Sequence, residues 1–356
     1  FSALIGQNLN GYLADRFKCV KKILFISISI GLCAAAALLF SRERWFINII
    51  ILLWGAFLYG SVPLSEAWYI EVLKANGDQS KFGKIRGFGS IGYGLSGILL
   101  GLMLEKLGWS IYIWYILISA CFVLLSVLWI AESKGVEFYK TAGGKKGKGG
   151  VSVKEALNQI IEIKELRYIL IILFMYNFVV KGIYVYLGVL VSDSGGGPLS
   201  LGFAYFFDAS PELISFFLAS RLLRRYQSKS LIFAALALQI ARLLLILVFS
   251  SSLAIILLGS LSGLAYGLIA AAYKTYIYEI APEKYKISCL SLSESIIGLA
   301  GVISAPVFGF VIINFGTYAS IALGLAINIA AALIIAWNIF NKIYLIKGRS
   351  KGKVWE

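Results

Sequence analysis

The chain has 356 residues, of which 60% are hydrophobic and only 14% charged, and its mean hydropathy is +0.85. A soluble domain carries about 25% charged residues, so these values exclude a soluble enzyme and point to a polytopic helical membrane protein. The net charge of +15 does not signal nucleic acid, because the lysines and arginines gather in alternate loops, as they do on cytoplasmic faces.

No histidine is present, which removes the usual proton-relay side chain and the commonest metal ligand. Cys19, Cys33, Cys121 and Cys289 show no CxxC spacing; they read as small apolar fillers. No metal site and no cofactor is expected, and no nucleotide-binding loop or nucleophile elbow supports catalysis.

The first segment, Phe1–Ala14, closes in GYLADRFKCVKKIL. Candidate spans follow at roughly 23–40, 46–70, 84–104, 109–131, 167–191, 200–220, 230–250, 253–278, 289–313 and 317–340, each near the ~20 residues that a bilayer requires. Loops on one side hold 28 of the 33 basic residues. Arg42, Arg44 and Lys106 lie opposite, and Lys181 and Arg242 lie inside spans. This alternation supports eleven segments with a cytoplasmic C-terminus. The chain opens on Phe1, without Met, inside an apolar segment, so an incomplete N-terminus lacking one helix is expected.

Between the fifth and sixth segments lies the longest loop, Glu132–Leu166. Its TAGGKKGKGG run is a flexible linker at a membrane surface, and VSVKEALNQIIEIKEL predicts an interfacial helix. The division is therefore an N-terminal half-bundle over 1–131, a cytoplasmic linker over 132–166, a C-terminal half-bundle over 167–345 and a basic tail over 346–356. GYLADRFKCVKKIL and ASRLLRRYQSKSLI are basic turns at the same rank in their halves. Parallel halves of this kind are a transporter architecture with the solute site near the middle of the membrane.

The chemistry concentrates in SEAWYIEVLKANGDQSKFGKIRGFGSIGYGLSG, over 65–97. Glu66 and Arg86 have opposite signs, sit in or beside apolar helices joined by a short loop, and cost several kcal/mol at membrane depth unless paired or facing a wet cavity. The glycines Gly87, Gly89, Gly92, Gly94 and Gly97 let a neighbouring helix approach closely. Including the second half, the membrane-depth charges are Glu66, Arg86, Lys181, Asp208, Glu212, Arg242 and Glu294. Near-balance of sign suits a mutually compensating network at low dielectric, and its spread over both halves suits an interdomain cavity. Asp208 and Glu212 are four apart and share a helix face, where like charges push one carboxyl toward carrying a proton.

Gly11, Asp15 and Arg16 in GYLADRF match the G-x-x-x-D-R loop motif, so the chain resembles the major facilitator superfamily. The 66–72 stretch and FGKIRGFGSIGY resemble the fourth and fifth helices of its lactose permease-like oligosaccharide– and nucleoside–proton symporters. The resemblance implies an all-α integral membrane fold of twelve helices in two six-helix halves, eleven of them visible here. It further implies that Glu66 and Arg86 bind solute hydroxyls and that Tyr93 stacks on a sugar ring, where lactose permease has Trp. Asp208, eight residues before Phe216–Phe217, matches the coupling-and-binding carboxylate, and Arg242 in QIARLLL the buried arginine of the ninth helix. In LGSLSGLAYGL, Ser262 stands where the family usually has His, and the His/Glu proton pair is missing.

The expected function is a secondary active transporter that imports a polar neutral solute, a sugar, oligosaccharide or nucleoside, by proton symport with alternating access. The expected solute ligands are Glu66, Arg86, Tyr93, Lys181 and Asp208. Asp208, Glu212, Arg242 and Glu294 carry coupling, and Gly11, Asp15 and Arg16 form a conformational latch. Alternatives are a drug or metabolite exporter, a sodium-coupled or uncoupled facilitator, and a non-transporting sensor or scaffold. The expected partners are the solute, a proton with sodium as the alternative ion, and lipid, with no nucleic acid. The expected state is a monomer, multi-pass in a bacterial cytoplasmic membrane.

Overall fold

The structure is a computed structural model and describes residues 2–17, 19–40, 43–75, 82–130, 162–282 and 286–351. Residues 151–161 of the expected interfacial helix, most of the linker, and residues 352–356 of the basic tail lie outside the described residues, while the last residues of that stretch begin the helix Lys164–Val185. Among the described residues every regular element is a helix.

In order these are α1 (Ser2–Phe17), α2 (Val20–Ala37), α3 (Arg44–Leu53), α4 (Val62–Ala75), α5 (Phe82–Leu107), α6 (Ile111–Trp129) and α7 (Lys164–Val185). They continue with α8 (Leu187–Asp193), α9 (Pro198–Leu222), α10 (Ser228–Phe249), α11 (Ser252–Ile280), α12 (Lys286–Phe315) and α13 (Thr317–Lys351). Among the described residues ten spans are long and apolar enough to cross a membrane, and α1, at 16 residues, is the eleventh segment.

Two expected spans are not single α-helices. Between α3 and α4 the chain runs through a π turn, Trp54–Leu58, and a 3-10 turn, Tyr59–Ser61. The break is held by its neighbours: the Trp54 indole donates to the Gly31 carbonyl at 2.9 Å, and the Asn10 amide to the Ala56 carbonyl at 3.5 Å. Gly60 lies so close to α1 that a Cβ there would sit 2.8 Å from the Gly6 carbonyl carbon. The second exception is Tyr186, which leaves helical dihedrals between α7 and α8; its hydroxyl donates to the Ala305 carbonyl of α12 at 2.9 Å.

The turns on the weakly charged side are short. Gly108, Gly195, Ser250 and Gly316 all have positive φ, and Gly316 alone joins α12 to α13, a left-handed turn that glycine adopts without steric cost.

By packing the chain falls into two units, Phe1–Arg86 with Met103–Gly150, and Gly87–Leu102 with Val151–Glu356. The first has a core of Ala14, Val20, Ile23, Leu24, Ile28, Leu64, Trp68 and Val127. Lys21 donates to the carbonyls of Leu128 at 3.0 Å and Ile130 at 2.8 Å, placing a cation where the end of α6 leaves carbonyls free.

The middle of α5 belongs to the second unit because its glycines lie against α9. A Cβ at Gly97 would sit 3.3 Å from the Gly202 carbonyl oxygen, and one at Gly101 2.7 Å from that of Pro198. The apolar core of this unit comes in two separate clusters. One holds Ile169, Leu173, Leu231, Leu236, Ile269 and Ala331; the other holds Val179, Ile183, Leu243, Ile246, Phe308 and Ile321.

Candidate functional site

Helix α11 carries Gly259, Gly263 and Gly267 at four-residue spacing, so all three line one face. That face lies directly on α9. A Cβ at Gly259 would be 3.2 Å from the Asp208 nitrogen, one at Gly263 would strike the Asp208 carbonyl oxygen, and one at Gly267 would be 3.3 Å from the Glu212 carbonyl oxygen. Small residues at this spacing are how membrane helices bring backbones together. Here the seam fixes the turn of α9 that bears both Asp208 and Glu212. Pro211 lies inside that turn and removes one backbone donor from it; the Ser215 hydroxyl bonds the Glu212 carbonyl at 3.0 Å and reaches the Gly263 carbonyl at 3.4 Å.

The Asp208 carboxylate lies beside the Ser262 hydroxyl of α11 and in the field of Arg242 of α10. Arg242 is only 4% exposed and also faces the fully buried Tyr176 of α7. Four helices thus deliver a carboxylate, a guanidinium, a hydroxyl and a phenol to one place. A buried charge is tolerated when an opposite charge compensates it, and Asp208 supplies that charge to the buried Arg242.

One turn along α9, Glu212 accepts from the Ser90 hydroxyl of α5 at 3.1 Å. Beside it the Tyr93 and Tyr184 hydroxyls meet. Tyr205 packs edge-on to Tyr93 at 6.0 Å and to Tyr184 at 5.4 Å between ring centroids. Tyr93 and Tyr184 remain exposed, so this cluster offers ring faces and hydroxyls beside a carboxylate.

Lys181 is directed to α12. Its ammonium donates to the Ile297 carbonyl at 3.0 Å, and it feels the charge of Glu294. Glu294 is half-exposed; it accepts from the Tyr273 hydroxyl at 2.6 Å and pairs with Lys274 at 3.5 Å.

The structure therefore brings Tyr93, Asp208, Glu212 and Arg242 into one connected region of the second unit, with Lys181 held by α12 in the field of Glu294. Glu66 is half-buried on α4, next to the buried Trp68. Arg86 is on α5, but its side chain lies outside the described residues, as does that of Asp15. Gly11 and Arg16 are on the last turns of α1, with the Arg16 guanidinium over the Phe17 ring.

Sequence reasoning did not single out Ser90, Tyr176, Tyr184 or Tyr205 as site residues, and it noted Ser262 only as a departure. The available signal was weak: a hydroxyl inside an apolar span costs little and is common, so nothing in one sequence separates these from packing residues.

A family model described as "MFS_1 like family" matches residues 1–323. No curated protein matches the chain. Among solved structures, a mutant of the nucleoside transporter NupG is 15% identical with a TM-score of 0.75, over 94% of this chain and 87% of that one. The human organic anion transporter MFSD10 (TETRAN) is 18% identical with a TM-score of 0.64, over 94% and 81%. A mutant of the Escherichia coli fucose:proton symporter FucP is 15% identical with a TM-score of 0.53, over 93% and 87%. At these identities the likeness concerns the fold.

Proposed function

The chain belongs to the MFS_1 like family, within the major facilitator superfamily of membrane transporters, and we propose that it imports a polar neutral solute carrying a ring and several hydroxyls, a sugar, oligosaccharide or nucleoside, by proton symport. The observation that carries this reading is the Asp208–Ser262–Arg242–Tyr176 cluster, with Glu212 and the three tyrosines alongside. Carboxylate and guanidinium groups hydrogen-bond hydroxyls in pairs, and exposed aromatic faces suit a sugar or base ring. A neutral solute leaves the charge of Asp208 free to be balanced either by Arg242 or by a proton, and exchange between these two states is the coupling. Two of the similar structures are a nucleoside transporter and a fucose:proton symporter, which is consistent with this solute class. Alternating access supplies the transport step. Glu66 and Arg86 remain proposed solute ligands, Glu294 an accessory coupling group, and Gly11, Asp15 and Arg16 the latch.

The test is solute-driven proton uptake into proteoliposomes with a panel of sugars and nucleosides. Alkalinisation outside on adding one solute, lost in Asp208→Asn, is the expected result. Solute entry with no proton movement overturns symport and makes the protein a facilitator or sodium-driven carrier.

A further inference from the structure

The two apolar clusters of the second unit are separated by a layer of buried polar side chains, and the packing of α10 on α13 shows how the layer is assembled. These helices are bolted at both ends. The Tyr318 hydroxyl donates to the Ser250 carbonyl at 3.0 Å at one end, and the Lys229 ammonium donates to the Asn338 carbonyl oxygen of the side chain at the other. Between the bolts, a Cβ on Gly324 would meet Leu243 at 3.7 Å. Gln239 lies four residues from Leu243, and Asn328 four residues from Gly324, both toward the Lys229 bolt. Residues four apart share a helix face, and antiparallel helices that keep step bring Gln239 and Asn328 to the same level.

Helix α7 reaches that level too. Gly324 also lies against Val179 and Ile183, and about one turn back from Val179 is Tyr176, with Asn177 next to it in sequence. Gln239, Asn328 and Tyr176 are all 0% exposed, at the centre of the spans Ser228–Phe249, Thr317–Ile339 and Lys164–Val185. Arg242, three residues from Gln239, joins them to the Asp208 cluster.

The atoms in this layer are short of protein partners. Both amide atoms of Gln239, both of Asn328, the Tyr176 hydroxyl and the Arg242 Nε have no hydrogen-bond partner among the described residues. Asn177 differs, since its amide donates to the Leu173 carbonyl at 2.9 Å. Donors and acceptors so deep in an apolar bundle demand partners. The layer holds donors, acceptors and one cation, a mixture that suits water, which gives and accepts, better than a metal ion, which the guanidinium repels.

We infer that the plane between α7, α10 and α13 is a hydration site, in which a small cluster of bound water joins Gln239, Asn328 and Tyr176 to the Arg242 guanidinium. Tyr176 is shared between this site and the Asp208 cluster, and Gln239 and Asn328 extend it toward α13. Water held there gives the guanidinium a second partner, so Asp208 can take up a proton without stranding a bare cation. Gln239 and Asn328 are therefore water-binding positioning residues and do not touch solute.

X-ray radiolytic footprinting of the purified full-length protein in lipid nanodiscs tests this without solute or proton gradient, so it stands or falls apart from the symport reading. Hydroxyl radicals made from bound water oxidise adjacent side chains even when these are shielded from bulk solvent. The expected result is oxidation of Tyr176 within about threefold of the rate at exposed Tyr226. Oxidation should fall at least fivefold in the double variant Gln239→Leu/Asn328→Leu. The wild-type measurement decides even if that variant does not fold. Absence of Tyr176 oxidation at doses that label Tyr226 overturns the inference and leaves the two amides bonded to one another in a dry core. Labelling that persists in a folded double variant overturns it as well.

Discussion

In the first unit the buried Asn10 accepts from the Ser27 hydroxyl at 3.0 Å and donates to the Ala56 carbonyl, so its amide is used at both ends by protein. In the second unit Gln239 and Asn328 are equally buried, yet neither end of either amide has such a partner among the described residues. The first arrangement ties α1 to α2 and to the π turn and carries no charge. The second sits against Arg242, which answers to Asp208. An uncharged, closed network is what a structural tie requires. On the proposed coupling, a network that accommodates two protonation states of one carboxylate has to keep capacity in reserve, and the unpartnered amides of the second unit would supply it.

The largest expected effect comes from the charged member. Asp208→Asn keeps the shape and an acceptor beside Ser262 but removes the charge that Arg242 balances, so solute-driven proton uptake should fall to background while the variant still folds. Exchange of labelled solute across the membrane should persist, because it needs no net proton transfer. Loss of exchange together with proton uptake would make Asp208 a binding group alone.

Next in size is Gly263→Val, which drives a branched side chain into the Asp208 carbonyl oxygen. Overpacking of a tight seam costs about 1–3 kcal/mol, so the thermal midpoint should drop by several degrees and uptake should fall with it. Gly89→Val, on a helix face open at that position, is the control and should leave the midpoint unchanged.

Ser27→Ala probes the closed network. It leaves the Asn10 carbonyl oxygen buried without its donor, and hydrogen bonds between membrane helices contribute about 0.6 kcal/mol on average and up to about 1.7. A loss of roughly 1 kcal/mol with normal uptake is expected. Abolished uptake with unchanged stability would move this network from tie to mechanism.

How far the sequence foretold this depends on the range of the interaction. Eleven segments and their order were legible because a 20-residue apolar run is a local property. The π turn at Trp54–Leu58 was not, since it is a shift of backbone hydrogen bonds imposed by Gly31 and Asn10 on other helices. Asp208 and Arg242 were legible as charges inside spans. The Ser90–Glu212 bond joins residues far apart in the chain, and nothing in either segment alone announces it. Gln239 and Asn328 stand alone in apolar helices; only the register set by the Lys229–Asn338 and Ser250–Tyr318 bolts puts them together.

Glu294 is the carboxylate expected to matter least, although its depth in the sequence resembles that of Asp208. Its pair with Lys274 is more than half exposed on both sides, 53% and 55%, and exposed pairs are worth under about 1 kcal/mol because water and salt screen them. Glu294→Gln keeps an acceptor for the Tyr273 hydroxyl, and Lys181 retains the Ile297 carbonyl. The midpoint should therefore shift by no more than a degree or two, and uptake should fall less than in Asp208→Asn. Thermal unfolding at low and high salt checks the first point, since a screened pair predicts a wild-type advantage that shrinks as salt rises. If Glu294→Gln instead removed proton uptake at unchanged stability, the coupling carboxylate would lie on α12, and the buried cluster around Asp208 would be left with solute binding alone.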